Sequence, residues 1–519
     1  MYKTLARHYN AEAKIARSGA STKFCGEKDK VTMKLLRTLG MTCVCFLAWV
    51  TTQAQTWTPL KNQPTFLANG AGPALLLTDG TVMMHDACGS DWWKLTPDIT
   101  GSYINGTWTQ LASLPSGYAP LYYASAVLPD GRVIVEGGEY NGCNADWTNR
   151  GAIYDPVKNH WTSVNPPSGW STIGDSQSVV LSNGTFMLAN CCEGVPYSVA
   201  YLNPKNLTWT LHGSGKKDRY DEEGWALLKD GTVLTTDAIN SPNAERYNPK
   251  TQAWQSAGTA CQLEDQKSQE IGPMVVLPNG TVFATGAQDQ NTHTGHTCTY
   301  HPPKQINGTG TWTQGPDFPN GDDAEDAPAA LEISGKAIVM TSPGVYKPPA
   351  TFYEWNGTKL TKISGPPNAP NDPSYVGNFL ELPTGQLLFM DLSNDVEVFT
   401  PKGTYKSAWQ PTITTAPTTV TRGNTYKISG TQFNGLSQGA FYGDDGQMAS
   451  NYGLVRITNN STKHVFYART HDPSTMGIAT GSKTVSTNFD VPSNMETGAS
   501  TLEVVANGIP SAAVDVTVQ

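Results

Sequence analysis

Seven times along the chain, an apolar run meets a tight turn carrying glycine and continues as a second apolar run. The copies are "LLLTDGTVMM", "AVLPDGRVIV", "VVLSNGTFML", "ALLKDGTVLT", "VVLPNGTVFA", "LEISGKAIVM" and "LELPTGQLLF". Their turn glycines, Gly80, Gly131, Gly184, Gly231, Gly280, Gly335 and Gly385, lie about 50 residues apart. Two β-prone runs flanking an Asp/Asn/Gly turn make a hairpin. A unit of this length has room for about four strands and cannot bury both faces of its sheet alone, so neighbouring units must stack around an axis.

Most units also close on a tryptophan: Trp108, Trp161, Trp209, Trp254, Trp312 and Trp409, with Leu360 at the sixth place. These aromatic residues are expected to pack between blades. The repeat resembles kelch, which implies an all-β, seven-bladed kelch-type β-propeller over residues 55–410. Composition agrees: 50 Gly, 35 Pro and only 15% charged residues suit many short strands and turns. Asn105, Asn183, Asn279, Asn307 and Asn356 sit in Asn-Gly-Thr triplets and read as turn residues. After Trp409 the repeat stops and Thr and Pro accumulate. The alternating pattern of residues 411–519 predicts a small immunoglobulin-like (E-set) β-sandwich.

Residues 1–54 read as an N-terminal extension and signal peptide. From Met33, Lys34 and Arg37 precede an apolar run, and small residues follow up to Ala54. The run is short for a membrane span, so a secreted or extracytoplasmic protein with no stable membrane insertion after processing is expected. Of 35 Lys and Arg and 44 Asp and Glu, nine and three lie in this segment, leaving 26 against 41. So acidic a surface repels phosphate backbones and excludes nucleic acid as a partner. Beyond the segment lie six cysteines: Cys88, Cys143, Cys191, Cys192, Cys261 and Cys298. In an exported chain they predict disulfides, with 15 possible connectivities; Cys191 and Cys192 could bond to each other or to two other loops.

In a propeller, the innermost strand of each blade starts at one mouth of the central channel. Counting eight residues back from the residue before each turn glycine gives Tyr122, Asp175, Glu222, Ile271 and Asp326 for the second to sixth blades. Glu223 and Glu270 sit one residue from that register. An acidic mouth formed by Asp175, Glu222, Glu223, Glu270 and Asp326, with Tyr123 beside it, is expected to bind a carbohydrate or other small polar ligand, or a hard cation such as Ca²⁺. Glu222 and Glu223 could also act as an acid and base pair of a hydrolase.

A kelch propeller followed by an immunoglobulin-like domain resembles the galactose oxidase and glyoxal oxidase family of copper-radical enzymes. That family holds copper with two tyrosines and two histidines. A tyrosine cross-linked to cysteine cycles as a radical, oxidising an alcohol or aldehyde while O₂ becomes H₂O₂. By the resemblance, "YYASAVLPDGRV" begins with the cross-linked tyrosine, Tyr122, and "YVGNFLELPTG" with the axial tyrosine, Tyr375. "LVRITNNSTKHVFYARTHDPS" resembles the stretch with the last histidine, His471, with His464 as the alternative. Tyr122, Tyr375 and His471 are therefore the candidate catalytic and copper-binding residues. Two positions depart from the family: Val376 stands where it has a ligand histidine, and no cysteine lies near Gly72 for the cross-link. The sequence thus favours a monomeric, oxidase-like binding protein, with the copper-radical oxidase as the alternative.

Overall fold

The computed structural model describes residues 55–192, 199–344, 346–443 and 448–519. The expected signal segment and the start at Met33 lie outside them. The described residues all lie within one compact unit. Among the described residues there is no α-helix, only short 3₁₀ turns, and no helix is long and apolar enough to cross a membrane.

The seven hairpins form as expected. Each turn glycine has φ between 76° and 87°, the left-handed region that costs glycine little. In each turn the glycine N–H donates to the carbonyl three residues back, as Gly131 does to Leu128 (2.8 Å). In five of them the Asp or Asn before the glycine accepts from the N–H two residues on: Asp79, Asp130, Asn183, Asp230 and Asn279. Asn183 and Asn279 are therefore turn-forming residues, and local chemistry fixes the register of each hairpin.

Each hairpin begins an antiparallel meander. Six four-stranded sheets and one five-stranded sheet contain the repeats. Their first strands are Ala71–Leu76, Ala124–Val127, Ser178–Val180, Ala226–Leu227, Met274–Val276, Ala329–Leu331 and Asn378–Glu381. These strands are buried, six of the seven neighbouring pairs are in contact, and the strand of the last sheet touches that of the first. This is the arrangement of a β-propeller. The N-terminal strand Thr56–Pro59 pairs with Glu397–Thr400 and so completes the last sheet.

The repeated tryptophans join the sheets. Trp108, Trp161, Trp209 and Trp312 each donate their indole N–H to a backbone carbonyl in the outer strand of the sheet before or in the connection that leaves it: Asn62, Ala112, Asn165 and Ala257. One expectation needs correcting. In the last sheet Trp57 of the N-terminal strand takes this place, donating to Ser364 O (2.6 Å). Trp409 lies instead in the 3₁₀ turn Ser407–Trp409, under the Lys406 ammonium. The closing strand must bring its own tryptophan because the last sheet takes its outer strand from the other end of the chain.

Residues 412–518 supply a nine-stranded sheet with its own apolar core around Ile428, Val455, Phe489 and Leu502. From this region Ala440–Phe441 reaches back and adds a strand to the sixth sheet, beside Ala329–Leu331. The cysteines pair as Cys88–Cys143, Cys191–Cys192 and Cys261–Cys298. The adjacent cysteines bond to each other.

Candidate ligand-binding site

The register counted from the turns lands on a distinctive backbone. Tyr122, Glu222 and Asp326 occupy the same position in the second, fourth and sixth sheets, and all three are left-handed, with φ of 50°, 57° and 47°. For non-glycine residues this conformation is uncommon and tends to gather at functional sites. In the fifth sheet the left-handed residue comes earlier, at Gln269 (φ 75°), and Glu270 takes the place of the buried Ile271. Carboxylate oxygens of Glu222, Glu270 and Asp326 consequently lie within 4.8 Å of one another. All three residues are half-buried.

Asp175, from the third sheet, adjoins a second group. Its Oδ1 lies 3.7 Å from Cys192 Sγ, which is 3.9 Å from Asp221 Oδ1. Gly174 is left-handed, and a Cβ there would stand 2.3 Å from Cys191 Sγ, so only glycine lets the disulfide ring pack this close.

Tyrosines cover the carboxylates. The Tyr122 ring stacks on Tyr442 at 6.1 Å and meets Tyr140 edge-on at 6.2 Å. Tyr442 donates its hydroxyl to Tyr375 O (2.8 Å), and the Tyr375 ring meets Tyr346 edge-on at 5.2 Å. Tyr346 is 40% exposed, yet its phenol end is enclosed. That burial, then Glu270, Asp326, Glu139 and Glu325, push its pKa well up. The Tyr140 phenol is likewise raised, first by burial, then by Glu139, Asp175 and Tyr375. Both phenols stay protonated and can donate hydrogen bonds.

Tyr442 arrives on the segment that pairs with the sixth sheet. Gly443 makes this approach possible: a Cβ there would meet Asp326 Cα at 2.9 Å and Ile271 O at 3.3 Å. Further along, Ser450 Oγ and Asn507 Nδ2 donate to the buried Glu381 in the seventh sheet, at 2.9 and 2.8 Å.

The structure brings Tyr122, Glu222, Glu270, Asp326 and Tyr375 into this region and places other expected residues elsewhere. Glu223 follows the left-handed Glu222, and its side chain goes into the interior instead of to the mouth. It is fully buried and accepts from Lys216 Nζ at 2.8 Å, beside Glu245 and Asp237. Glu222 and Glu223 therefore cannot be one acid and base pair. Tyr123 is buried against His85 and Trp92. His471 ends the strand Val465–His471, and its ring nitrogens face Asp472 Oδ2 (2.7 Å) and Asp490 Oδ1 (3.2 Å). His464 faces Glu496 (2.6 Å). Val376 packs against the apolar core. Tyr140, Tyr346, Tyr442, Glu139 and the Cys191–Cys192 ring are additions the sequence did not single out. Their only signals were Tyr442 set between glycines in "GAFYGDDG" and the adjacency of the two cysteines.

No protein-family model matches the chain. A relative described as "Kelch-like protein terF", from Aspergillus terreus (strain NIH 2624 / FGSC A1156), is 28% identical over 163 residues. The match spans 31% of this chain and 27% of that relative. Among solved structures, a "Novel fungal alcohol oxidase with catalytic diversity among the AA5 family, in complex with copper" superposes with a TM-score of 0.50 at 15% identity. It covers 90% of this chain and 100% of its own. "Structure of YjhT" aligns with a TM-score of 0.39 at 13% identity, over 59% of this chain and 99% of that one. The fold is thus that of a kelch-type, galactose-oxidase-like β-propeller protein.

Proposed function

We propose that this is an exported protein whose seven-bladed propeller (55–410) and immunoglobulin-like domain (411–519) present an acidic, tyrosine-lined channel mouth for a polar ligand. The carrying observation is the convergence of Glu222, Glu270 and Asp326 from three different sheets to within 4.8 Å. A hydroxyl-rich ligand such as a carbohydrate suits these groups. Carboxylates accept from paired hydroxyls, protonated phenols donate to ring oxygens, and aromatic faces pack on C–H surfaces. A hard cation could bridge the same carboxylates.

The copper-radical reading keeps two phenols, Tyr122 and Tyr375, and loses the rest of the donor set. Val376 has no lone pair, and Gly72 has no side chain to cross-link. The three groups of potential metal donors that converge among the described residues contain no histidine. Copper(II) favours imidazole ligation, so these residues do not fit the family's centre, and no oxidation step is assigned to them.

A glycan array comparing the wild-type protein with a Glu222→Gln/Asp326→Asn variant tests the mouth. Binding by the wild type that the variant loses is expected. Equal binding by both, or none by either, would overturn the assignment.

A further inference from the structure

Beside the mouth, the Cys191–Cys192 ring stands between two carboxylates. The cysteines follow the second strand of the third sheet, Phe186–Ala189, and Asp175 lies just before its first, Ser178–Val180. Asp221 precedes the first strand of the fourth sheet, Ala226–Leu227. Both Sγ atoms and one oxygen of each carboxylate lie within 4.8 Å of one another. Cys192 Sγ stands 3.7 Å from Asp175 Oδ1 and 3.9 Å from Asp221 Oδ1.

The groups are braced from behind. The Cys191 N–H donates to Ile173 O (3.2 Å) and Ser176 Oγ (3.0 Å), and Arg219 Nη2 holds Asp221 by its other oxygen, Oδ2, at 3.2 Å. Cys191 and Asp175 are buried, whereas Cys192 is open to solvent, so small solutes can reach its sulfur. A disulfide alone does not account for this packing: its sulfurs carry no proton, so Cys192 gives neither carboxylate a hydrogen bond. The spacing is that of donors around a metal. At a tetrahedral Zn²⁺, with sulfur at about 2.3 Å and oxygen at about 2.0–2.2 Å, neighbouring S and O atoms stand about 3.6 Å apart.

We propose that Cys191, Cys192, Asp175 and Asp221 form a Zn²⁺ site that becomes available when the Cys191–Cys192 disulfide is reduced. A dithiol supplies the two electrons and two protons: the S–S bond breaks, both cysteines become thiols, and the dithiol closes to its own disulfide. Zn²⁺ then displaces both thiol protons to water and takes two thiolates and two carboxylates. Without the ion the carboxylates oppose thiolate formation, so reduction and metal binding favour each other. The donor set suits zinc: Ca²⁺ and Mg²⁺ take oxygen alone, and Cu(I) is selected by soft sulfur ligands. A bond between adjacent residues closes almost no loop of chain, so it contributes little to stability and can open with the fold intact. The site shares no donor with Glu222, Glu270 and Asp326 and does not rest on the role given to them.

The test uses the full chain carrying Glu222→Gln/Asp326→Asn, which silences the mouth as a competing metal site. One sample stays oxidised; another is reduced with a phosphine that is then removed under argon. Calorimetric titration with Zn²⁺ should show one ion bound by the reduced protein and none by the oxidised one. With Cd²⁺, only the reduced protein should develop thiolate-to-metal charge-transfer absorption. Reduction also opens Cys88–Cys143 and Cys261–Cys298, so the control adds Cys191→Ser/Cys192→Ser, which should fold and should lose both signals. Adding Asp175→Asn/Asp221→Asn instead should weaken Zn²⁺ binding about 100-fold or more, since losing a group that merely orients a ligand already costs about 10- to 100-fold. This second variant keeps the cysteines and decides the matter even where the serine protein does not fold. No Zn²⁺ bound by the reduced protein, or equal binding by the oxidised one, would overturn the proposal. So would binding that survives the serine changes, or unchanged affinity in Asp175→Asn/Asp221→Asn.

Discussion

Glu222 and Glu223 are adjacent, identical in chemistry and opposite in consequence. Glu223 Oε1 accepts from Lys216 Nζ at 2.8 Å, and its Oε2 accepts from Thr235 Oγ1 at 3.2 Å. Lys216 also meets Glu245 at 2.8 Å and Asp237 at 3.7 Å, all but sealed from solvent. Burial alone would lower the Lys216 pKa; Glu223, Glu245 and Asp237 outweigh it and hold the ammonium charged. With three carboxyls around one ammonium, burial leaves part of the group protonated, and Asp237 is raised to about 7. Replacing Lys216 by Met strands the carboxyls and should cost about 3–5 kcal/mol. Glu223→Gln keeps two carboxylates on the ammonium and should cost about 1–2 kcal/mol. Glu222→Gln, half-exposed at the mouth, should stay within about 0.5 kcal/mol of wild type. Urea unfolding followed by tryptophan fluorescence reads all three. The sign of the pH effect is also fixed. Without Lys216 the buried carboxyls hold protons that the unfolded chain releases, so the deficit should grow as pH rises above about 4.5 and shrink below it. Equal shifts for Glu222→Gln and Glu223→Gln, or a Lys216→Met deficit independent of pH, would refute this division of roles.

Glu381 is fully buried, and burial raises it from 4.5 to about 7 despite the bonds from Asn507 and Ser450. Its folded pKa exceeds its unfolded one, so it should remove about 3 kcal/mol of stability as pH rises from 4.5 to 7, and Glu381→Gln should flatten that part of a pH-dependent melting series. Replacing both Cys261 and Cys298 by Ala frees a loop with a sequence separation of 37, and should lower unfolding free energy by about 3–4 kcal/mol in denaturant titration. Tyr442→Ala should cost about 3–5 kcal/mol through the lost ring, while Tyr442→Phe, which keeps the ring and loses the hydroxyl that donates to Tyr375 O, should cost about 1 kcal/mol.

The propeller was legible because each hairpin encodes its own turn: glycine at a left-handed position, with Asp or Asn before it bonding forward. The same regularity made the channel register countable, and Tyr122, Glu222 and Asp326 fell where the count put them. The side each residue faces was less legible. Glu223 looks as good a mouth residue as Glu222 until the left-handed turn at Glu222 and the buried Lys216 are seen, and in the fifth sheet the left-handed residue comes earlier, at Gln269, so that Glu270 replaces Ile271. Contacts between distant parts of the chain were not legible at all. Tyr442 reaches the mouth from a segment over 300 residues after Tyr122, just past the two-residue strand Ala440–Phe441. Trp57 replaces Trp409 because the last sheet is completed by the N-terminus. His471 lies in a stretch that resembles a ligand-bearing one but ends a strand between two carboxylates.

The most direct test of the mouth is equilibrium titration of the strongest array ligand against wild type, Glu222→Gln, Asp326→Asn and Glu223→Gln. Losing one charged hydrogen-bonding partner costs about 1.5–3 kcal/mol, so the first two variants should bind about 10-fold or more weakly, and Glu223→Gln should bind as wild type. Wild-type affinity in both Glu222→Gln and Asp326→Asn would contradict the role assigned to the acidic mouth.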